Sequence, residues 1–274
     1  MPIDNSNRDK IAAIIMAAGR GSRMKGYAGN KTLLPLIPHA SLFEGDRPLL
    51  LHLMDQLPDG PRAVIVHHCK EDVMQAASAL DVTYCEQPQL NGTGGAIIAA
   101  QSFIQEQSCD RFIITMGDVP FVSNETYARL VSALDAYEIV VLGFRPLDKK
   151  QYGVLEIEGD HVRKITEWKF WKDYSPEAQA ALSICNSGIY AVTQSALNHY
   201  LPILASRPQV VHKEINGRMT AIEEFFITDI VEYMVEDGKA VGFLVAEDET
   251  ETMGIDDVGA LEKAQAFYRR GLGG

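Results

Sequence analysis

The sequence predicts an α/β fold: a central, mostly parallel sheet with helices on both faces, continued by a mixed β extension. The 274 residues, 46% of them hydrophobic, suffice for a full core. Through the first half, short apolar runs alternate with amphipathic stretches of helix length, which is typical of parallel strands joined by covering helices. A glycine-rich turn directly after the first apolar run indicates a strand-to-helix junction that can approach a ligand closely.

The predicted elements follow two different rhythms. In the first half, strands are predicted at residues 11–16, 63–67, 82–84 and 111–116. The helices between and after them are predicted at residues 48–57, 71–80, 94–105 and 123–136, the last with Ser123 as N-cap. In the second half, strands follow one another with little helix between them, at residues 138–145, 153–158, 161–167, 183–192 and 240–246. The remaining helices are predicted near residues 194–204 and 227–236, and from Asp257 onward.

Charge and cysteine usage limit the range of partners. A net charge of −12 argues against nucleic acid or an anionic membrane as the main partner, because both favour a basic face. The four cysteines are scattered without a CxxC pair, which is typical of reduced thiols in a cytoplasmic protein. The apolar run at residues 11–16 is short for a signal peptide and far below the roughly 20 residues of a membrane span. We therefore expect a cytoplasmic protein.

The first turn combines small residues with cations. Small side chains let the backbone approach a ligand, and successive N–H groups can form an anion-binding nest, here at Ala17, Ala18, Gly19 and Gly21. Arg20, Arg23 and Lys25 add positive charge where a triphosphate would lie, and Lys31 follows on the next turn. The spacing matches neither GxGxxG nor a P-loop. A flexible loop with solvated cations is the alternative interpretation.

A second glycine-rich segment, QPQLNGTGGA at residues 87–96, follows a predicted strand and opens a helix. Gln87 offers a donor and an acceptor to the edge of a base, and Gly92 lets the backbone come close. Asn91 or Thr93 can cap the helix. The alternative is an ordinary helix-start turn with a surface glutamine.

Two aspartates are candidates for a magnesium site. Asp118 follows the predicted strand at residues 111–116, at the carboxyl edge where open α/β sheets bind ligands. Asp256 and Asp257 offer a second carboxylate near the end of the chain, one for the metal and one as a helix N-cap. Mg²⁺ that bridges phosphates needs one or two carboxylates. A turn aspartate that caps the next helix is the alternative for Asp118.

Other site types find little support. The sequence contains no HxxxH pair, so zinc is not favoured, and no GxSxG motif, so a hydrolase is not favoured either. The aromatic cluster Trp168, Phe170 and Trp171 fits either a lip around a sugar or, as we interpret it, a packed β-edge.

Several motifs occur in a definite order. They are MAAGRGSRM at 16–24, Lys31, Gln87 with LNGTGGA at 90–96, GDVP at 117–120, YGV at 152–154, Glu167, NSGIY at 186–190, FITDI at 226–230 and GIDD at 254–257. Together they resemble the nucleotidyltransferase superfamily, and most closely the uridylyltransferase (pyrophosphorylase) domain of bacterial N-acetylglucosamine-1-phosphate uridylyltransferases. The similarity covers nearly the whole chain, from about residue 11.

This resemblance implies a Rossmann-like nucleotidyltransferase fold and transfer of a nucleotidyl group, most simply UMP from UTP, to a sugar 1-phosphate with release of pyrophosphate. By matched position, Arg23 and Lys31 would hold phosphates. The nucleotide would contact Ala17, Ala18, Gly19, Gly21, Gln87, Gly92 and Thr93. The sugar would contact Gly153, Glu167 and Asn186. Asp118 and Asp256 would hold Mg²⁺.

The chain departs from the family pattern at several positions. Lys31 sits one residue late and follows Asn30 instead of proline; Asp256 replaces an asparagine, and Met116 a tyrosine. Gly95 replaces a histidine, as in some hexose- and heptose-phosphate guanylyl- and thymidylyltransferases. Guanylyl, thymidylyl or cytidylyl transfer to another phosphorylated acceptor, and a non-catalytic sugar-nucleotide sensor, are therefore alternatives. The hexapeptide-repeat acetyltransferase half is missing, so acetyl transfer is not expected.

We interpret the chain as one domain, because no Pro/Gly-rich linker divides it. Its nucleotide-binding half is expected at residues 10–136, its sugar-phosphate half at 137–256 and a terminal helix at 257–274. Segments 38–47 and 207–218 are interpreted as surface insertions. The sequence leaves the sugar, the base and the oligomeric state open.

Overall fold

The computed structural model describes residues 10–215 and 218–271. Its strands are, in chain order, β1 (Ile11–Met16), β2 (Pro35–Pro38), β3 (Gly45–Pro48), β4 (Arg62–Val66), β5 (Thr83–Glu86), β6 (Arg111–Met116), β7 (Ile139–Phe144), β8 (Val154–Glu158), β9 (His161–Thr166), β10 (Cys185–Thr193), β11 (Gln209–Ile215), β12 (Arg218–Glu224) and β13 (Gly242–Val245).

The helices are distributed along the chain between and after these strands. They are α1 (Leu49–Gln56), α2 (Lys70–Ala76), α3 (Gly92–Ala99), α4 (Gln101–Glu106), α5 (Asn124–Ala133), α6 (Trp168–Trp171), α7 (Pro176–Ala181), α8 (Gln194–Ser206), α9 (Thr228–Glu236) and α10 (Val258–Gly271). A short 3-10 helix at Lys31–Leu33 follows the first turn.

The central sheet has the strand order β13-β7-β10-β6-β1-β4-β5, and β8 and β9 extend it from β10. Strand β1 pairs in parallel with β6 and β4, and β4 with β5. Strand β10 runs antiparallel to both β6 and β7, while β13 is parallel to β7. The predicted α/β class, mostly parallel with a mixed extension, is therefore confirmed.

The two faces of the sheet bury two hydrophobic clusters, since successive side chains of a strand point to opposite faces. On β1, Ile14 belongs to one cluster and Ile15 to the other. The first cluster also contains Tyr200 of α8, and the second contains Tyr127 of α5. Because both clusters draw on residues before and after 136, the two halves share their core. The division into functional halves stays a prediction.

Some local predictions were wrong. The helix predicted at 94–105 breaks at Ala100 into α3 and α4. The aromatic segment interpreted as a β-edge is the short helix α6. Segment 38–47 is mostly exposed, in agreement with its interpretation as a surface segment, and belongs to the β2–β3 hairpin. Helix α10 packs against this hairpin through Gln265, whose Nε2 donates to the carbonyls of Pro35 and Leu42.

Segment 207–218 overlaps the β11–β12 hairpin, and residues 216 and 217 lie outside the described part of the chain. The N-cap prediction for Ser123 is confirmed, since its hydroxyl accepts from the Thr126 amide at 3.1 Å. Within residues 10–215 and 218–271, no helix is long and apolar enough to cross a membrane.

Candidate active site

The glycine-rich turn (residues 17–24) leaves the carboxyl end of β1 and forms one wall of a cavity of about 340 Å³. A cavity of this size falls in the range of small-molecule sites. The neighbouring strand β6 ends beside it, where the Gly117 amide donates to the Met16 carbonyl at 3.0 Å. The cavity is lined by the predicted residues Ala17, Ala18, Gly19, Gly21, Arg23, Lys31, Gln87, Gly92, Thr93, Asp118 and Asp256.

Asn30 fixes the turn from behind. It is fully buried, and its Nδ2 donates to the carbonyls of Ala17 at 2.7 Å and His68 at 2.9 Å. Its Oδ1 accepts from the backbone N and the hydroxyl of Thr32, so Asn30 caps the 3-10 helix that begins at Lys31. Asn30 thus joins the ends of β1 and β4 and directs the next residue, Lys31, into the cavity.

Lys31 brings the two candidate metal carboxylates together. Its Nζ forms ion pairs with Asp118 Oδ2 and, at 2.7 Å, with Asp256 Oδ1. Asp256 reaches this point because the Ile255 amide donates to the Asp118 carbonyl at 2.9 Å. Arg23 contacts the other carboxylate oxygen of Asp256 at 3.3 Å. We call Lys31, Asp118 and Asp256 the charged cluster.

The ionisation states of the charged cluster follow from its pairing. Burial alone would lower the pKa of Lys31, but the negative charges of Asp118 and Asp256 outweigh it and raise that pKa above its ordinary value. Burial would raise the pKa of Asp256, but the opposing charge and hydrogen bond of Lys31 hold it below its ordinary value. Lys31 and Asp256 therefore favour their charged forms at neutral pH.

The second glycine-rich segment positions Gln87. The side-chain Nε2 of Gln87 donates to Asn91 Oδ1 at 3.0 Å and to the Gly92 carbonyl at 3.1 Å. Asn91 can lie there because residue 95 is a glycine: a Cβ on Gly95 would stand 1.9 Å from Asn91 Oδ1. Gly95 therefore makes room for the residue that orients Gln87.

The same segment connects to the second half of the chain. Gly92 has a φ of +96°, and a Cβ there would stand 2.3 Å from the Phe225 carbonyl. Thr93 Oγ1 accepts from the Ile227 amide at 3.2 Å. Neither Asn91 nor Thr93 gives α3 a side-chain cap, contrary to the prediction.

A second cavity of about 500 Å³ adjoins the first, and both are lined by Met16, Thr93 and Met116. It contains the three predicted sugar residues Gly153, Glu167 and Asn186. A β-bulge in β10 between Asn186 and Ile189 turns this part of the strand toward the cavity. Trp168, Lys169 and Phe226 complete part of the wall.

The polar groups of the second cavity differ in their partners. Asn186 is held by its own strand: Nδ2 donates to the Tyr190 hydroxyl at 2.9 Å, and Oδ1 accepts from the Gly188 amide at 3.1 Å. Within the described residues, Glu167 has no such partner for its carboxylate. Burial raises the pKa of Glu167, and Lys169 only partly offsets this effect.

The structure also shows which of the remaining candidate site residues line the cavity. Of the cations in the first turn, Arg23 lines the cavity, while Arg20 and Lys25 do not. Asp257 caps α10 by accepting from the Ala260 amide at 2.8 Å, which confirms its predicted role as N-cap, while the metal role of Asp256 stays a prediction. The sequence missed Glu224 as part of the first cavity, since only the β12 pairing brings it there.

Comparison with known proteins agrees with this geometry. Residues 13–169, more than half of the chain, match the family described as the MobA-like NTP transferase domain. The chain belongs to this family. The matched segment contains the glycine-rich turn, Lys31, Gln87 and Asp118.

The curated relatives extend the similarity across the chain. The protein is 31% identical over 266 residues to the bifunctional protein GlmU of Novosphingobium aromaticivorans, covering 95% of this chain and 53% of GlmU. It is 33% identical over 268 residues to GlmU of Sphingopyxis alaskensis, covering 94% and 52% respectively. The chain thus spans about half the length of these relatives.

Solved structures confirm the nucleotidyltransferase fold. The uridine diphosphate N-acetylglucosamine pyrophosphorylase of Trypanosoma brucei superposes with a TM-score of 0.73 at 12% identity, covering 94% of this chain and 65% of that one. A Bacillus anthracis protein assigned as a glucose-1-phosphate thymidylyltransferase superposes with a TM-score of 0.67 at 19% identity, covering 94% and 95%. At these identities the likeness is one of fold.

Proposed function

We propose that this protein transfers a uridylyl group from UTP to a sugar 1-phosphate such as N-acetylglucosamine 1-phosphate, releases pyrophosphate and depends on Mg²⁺. The observation that supports this most strongly is the position of the charged cluster. Lys31, Asp118 and Asp256 line the first cavity together with the glycine-rich turn and Gln87. This cavity shares Met16, Thr93 and Met116 with the second cavity, which contains Glu167 and Asn186. An α-phosphate at the cluster would therefore lie in a cavity that adjoins the proposed sugar site.

The donor set of the cluster fits a magnesium ion. Asp118 and Asp256 direct oxygens at one common point, where the ammonium of Lys31 lies. Mg²⁺ is typically held by one or two carboxylates, and phosphate oxygens and waters supply its other ligands. When bound, the ion would neutralise charge on the phosphates. Lys31 would then be free to contact a phosphate oxygen.

The residues of the chain would act by positioning and charge neutralisation, which dominate phosphoryl-type transfer. Gln87, fixed by Asn91, would present its remaining amide oxygen to the base. Arg23 and the backbone of the glycine-rich turn would hold the phosphates. The acceptor phosphate oxygen attacks the α-phosphorus while the bond to the leaving pyrophosphate breaks.

The second cavity would hold the sugar. A carboxylate without a protein donor, such as that of Glu167, is suited to accept hydrogen bonds from sugar hydroxyls. Asn186 would contribute the rigid side of the pocket, because its own strand fixes its orientation.

Another base or acceptor is the second candidate. Gly95 changes the segment beside Gln87, and the fold likeness includes the Bacillus anthracis thymidylyltransferase assignment. A thymine base has the same hydrogen-bonding edge as uracil, so Gln87 could accommodate either base.

The deciding assay measures pyrophosphate release with each of four nucleoside triphosphates against a panel of sugar 1-phosphates, with and without Mg²⁺. We expect UTP and an amino-sugar 1-phosphate to give the largest kcat/KM, with no turnover without the metal. A higher value with another nucleotide would replace the proposed base. Nucleotide binding without any turnover would favour the sensor.

We also propose that the protein works in the cytoplasm and needs neither nucleic acid nor a membrane. Its net charge is −12, and all four cysteines are free thiols. Cell fractionation followed by detection of the protein tests the location; recovery with the membrane fraction would contradict it.

A further inference from the structure

A third cavity, of about 430 Å³, lies on the other side of the charged cluster. Three separate parts of the chain enclose it: Arg23 of the glycine-rich turn, residues 150–152 between β7 and β8, and the start of α10. It shares Arg23 and Asp256 with the first cavity. The third cavity is therefore continuous with the place proposed for the phosphates.

Three cations and two carboxylates line this cavity. Arg23, Lys150 and Lys263 line it together with the carboxylates of Asp256 and Asp257. Both carboxylates already have partners, Asp256 in the charged cluster and Asp257 at the α10 N-terminus. Among the described residues, neither Lys150 nor Lys263 forms an ion pair with a carboxylate.

The two adjacent lysines of the loop between β7 and β8, Lys149 and Lys150, lie in different environments. Lys149 is bound to protein, since its Nζ donates to the Leu182 carbonyl at 3.0 Å and lies 5.1 Å from the Trp171 ring. Lys150 instead lines the cavity. Its backbone N donates to Asp148 Oδ1 at 2.9 Å, which fixes the loop where the side chain leaves it.

We propose that the third cavity is a phosphate subsite, in which Lys150 and Lys263 bind phosphate oxygens of a reactant. Arg23 lies between this subsite and the first cavity. Phosphate oxyanions are ligands that lysines and an arginine around one cavity are suited to bind. The subsite extends the positive surface beyond the glycine-rich turn itself.

Two reactants could supply this phosphate, and naming them rests on the proposed function. One is the pyrophosphate end of the nucleotide, which reaches the cavity past Arg23 and Asp256. The other is the phosphate of the acceptor, since Gln151 and Tyr152 line both the second and the third cavity.

The test measures binding, without turnover, by isothermal titration with inorganic pyrophosphate and, separately, with sugar 1-phosphates, all in Mg²⁺. The variants are Lys150→Gln, Lys263→Gln and the pair, with Lys150→Arg to restore the charge. Lys10→Gln is the matched control, because Lys10 is exposed and precedes the amino end of β1, opposite the site.

We expect each glutamine to weaken binding of one probe by about fivefold, the size of a favourable exposed charge pair, with Lys150→Arg and Lys10→Gln near the wild type. The deficit should shrink in high salt, because mobile ions screen exposed charges. Weaker pyrophosphate binding identifies the nucleotide end, and weaker sugar 1-phosphate binding identifies the acceptor.

Unchanged affinity for both probes in the double variant would overturn the subsite, even if the protein turns over uridylyl substrates normally. Conversely, if no sugar 1-phosphate supports turnover but the variants still lose pyrophosphate affinity, the subsite stands and the proposed reaction fails. Kinetics in the reverse direction then show whether KM for pyrophosphate changes in the same variants.

Discussion

The two ends of the site handle charge in opposite ways. At the phosphate end, Lys31 lies between Asp118 and Asp256, and each partner stabilises the charge of the other. At the acceptor end, the Glu167 carboxylate lies in a cavity without a hydrogen-bond donor among the described residues. Burial disfavours the charged form of groups at both ends, but only at the phosphate end do oppositely charged partners outweigh it.

This difference teaches which part of the site is assembled before ligands arrive. In the charged cluster the charges compensate one another, so removing one member should destabilise the fold by leaving a buried charge without its partner. The Glu167 carboxylate instead costs stability until a ligand donates hydrogen bonds to it. Metal and nucleotide must compete with Lys31, whereas the sugar relieves an existing cost.

The largest effect is expected on turnover. Asp118→Ala and Asp256→Ala should each lower Mg²⁺-dependent kcat by about a thousandfold, because the ion loses one of its two protein ligands. Pyrophosphate release measures the loss, and Asp160→Ala, an exposed aspartate between β8 and β9, is the control. Full activity in either variant would remove that residue from the metal site.

The next effect is on stability at the phosphate end. Lys31→Met should lower the free energy of unfolding by about 3 kcal/mol, because two carboxylates lose their shared cation. The deficit should diminish in acid, since the stabilisation carried by Asp256 is lost as the pH falls through its lowered pKa.

Urea unfolding with and without Mg²⁺ separates the causes of this deficit. In Lys31→Met, the ion can take the place of the ammonium, so Mg²⁺ should stabilise the variant more than the wild type. Equal stability of variant and wild type without metal would mean that the charged cluster is not compensated as described.

The sequence predicted the parts of the fold and site that depend on local pattern. Strand β1 was predicted at its observed bounds, because an unbroken apolar run followed by glycines is typical of a buried strand and a turn. Asp118 and Asp256 were both predicted as metal ligands. Asp118 follows the strand predicted at residues 111–116, and Asp256 lies in the GIDD motif at 254–257. The sequence left the position of Lys31 less defined, because it follows Asn30 instead of a proline.

Long-range contacts account for what the sequence missed. Asn30 fixes Lys31 by hydrogen bonds to Ala17 and His68, which follow the ends of two different strands, and no local pattern encodes these bonds. The helix α6 was interpreted as a β-edge because its aromatic residues favour strands in isolation. In the structure Trp171 is buried and its indole N–H donates to the Tyr152 carbonyl at 2.9 Å, so tertiary packing outweighs the local preference.

A smaller effect of opposite sign is expected at the acceptor end. Glu167→Gln should raise the free energy of unfolding by about 1 kcal/mol at pH 7, because an amide loses less on burial than a carboxylate. It should also raise KM for the sugar 1-phosphate. Glu236→Gln, an exposed position on α9, is the control.

The stability difference between Glu167→Gln and the wild type should depend on pH. Because the folded pKa of Glu167 is raised, the wild type loses stability as the pH rises through the ordinary glutamate range toward that folded pKa. The advantage of Glu167→Gln should therefore be absent near pH 3 and should grow as the pH rises above the ordinary glutamate range. A variant less stable than the wild type at pH 7 would mean that protein donors satisfy Glu167.

The smallest effect on stability is expected for Arg23, which we expect to position the nucleotide without contributing to the packing of the fold. The Arg23 side chain is 71% exposed and contacts Asp256 at 3.3 Å, so Arg23→Ala should change the free energy of unfolding by less than about 0.5 kcal/mol. Its kcat/KM for the nucleotide should still fall by roughly tenfold to a hundredfold, since a charge facing the phosphates is lost. Arg20→Ala is the matched control, because Arg20 is exposed in the same turn but does not line the cavity. Equal losses in the two variants would show that the turn supplies only diffuse positive charge, whereas a loss confined to Arg23→Ala would show that the fold aims one arginine at the nucleotide.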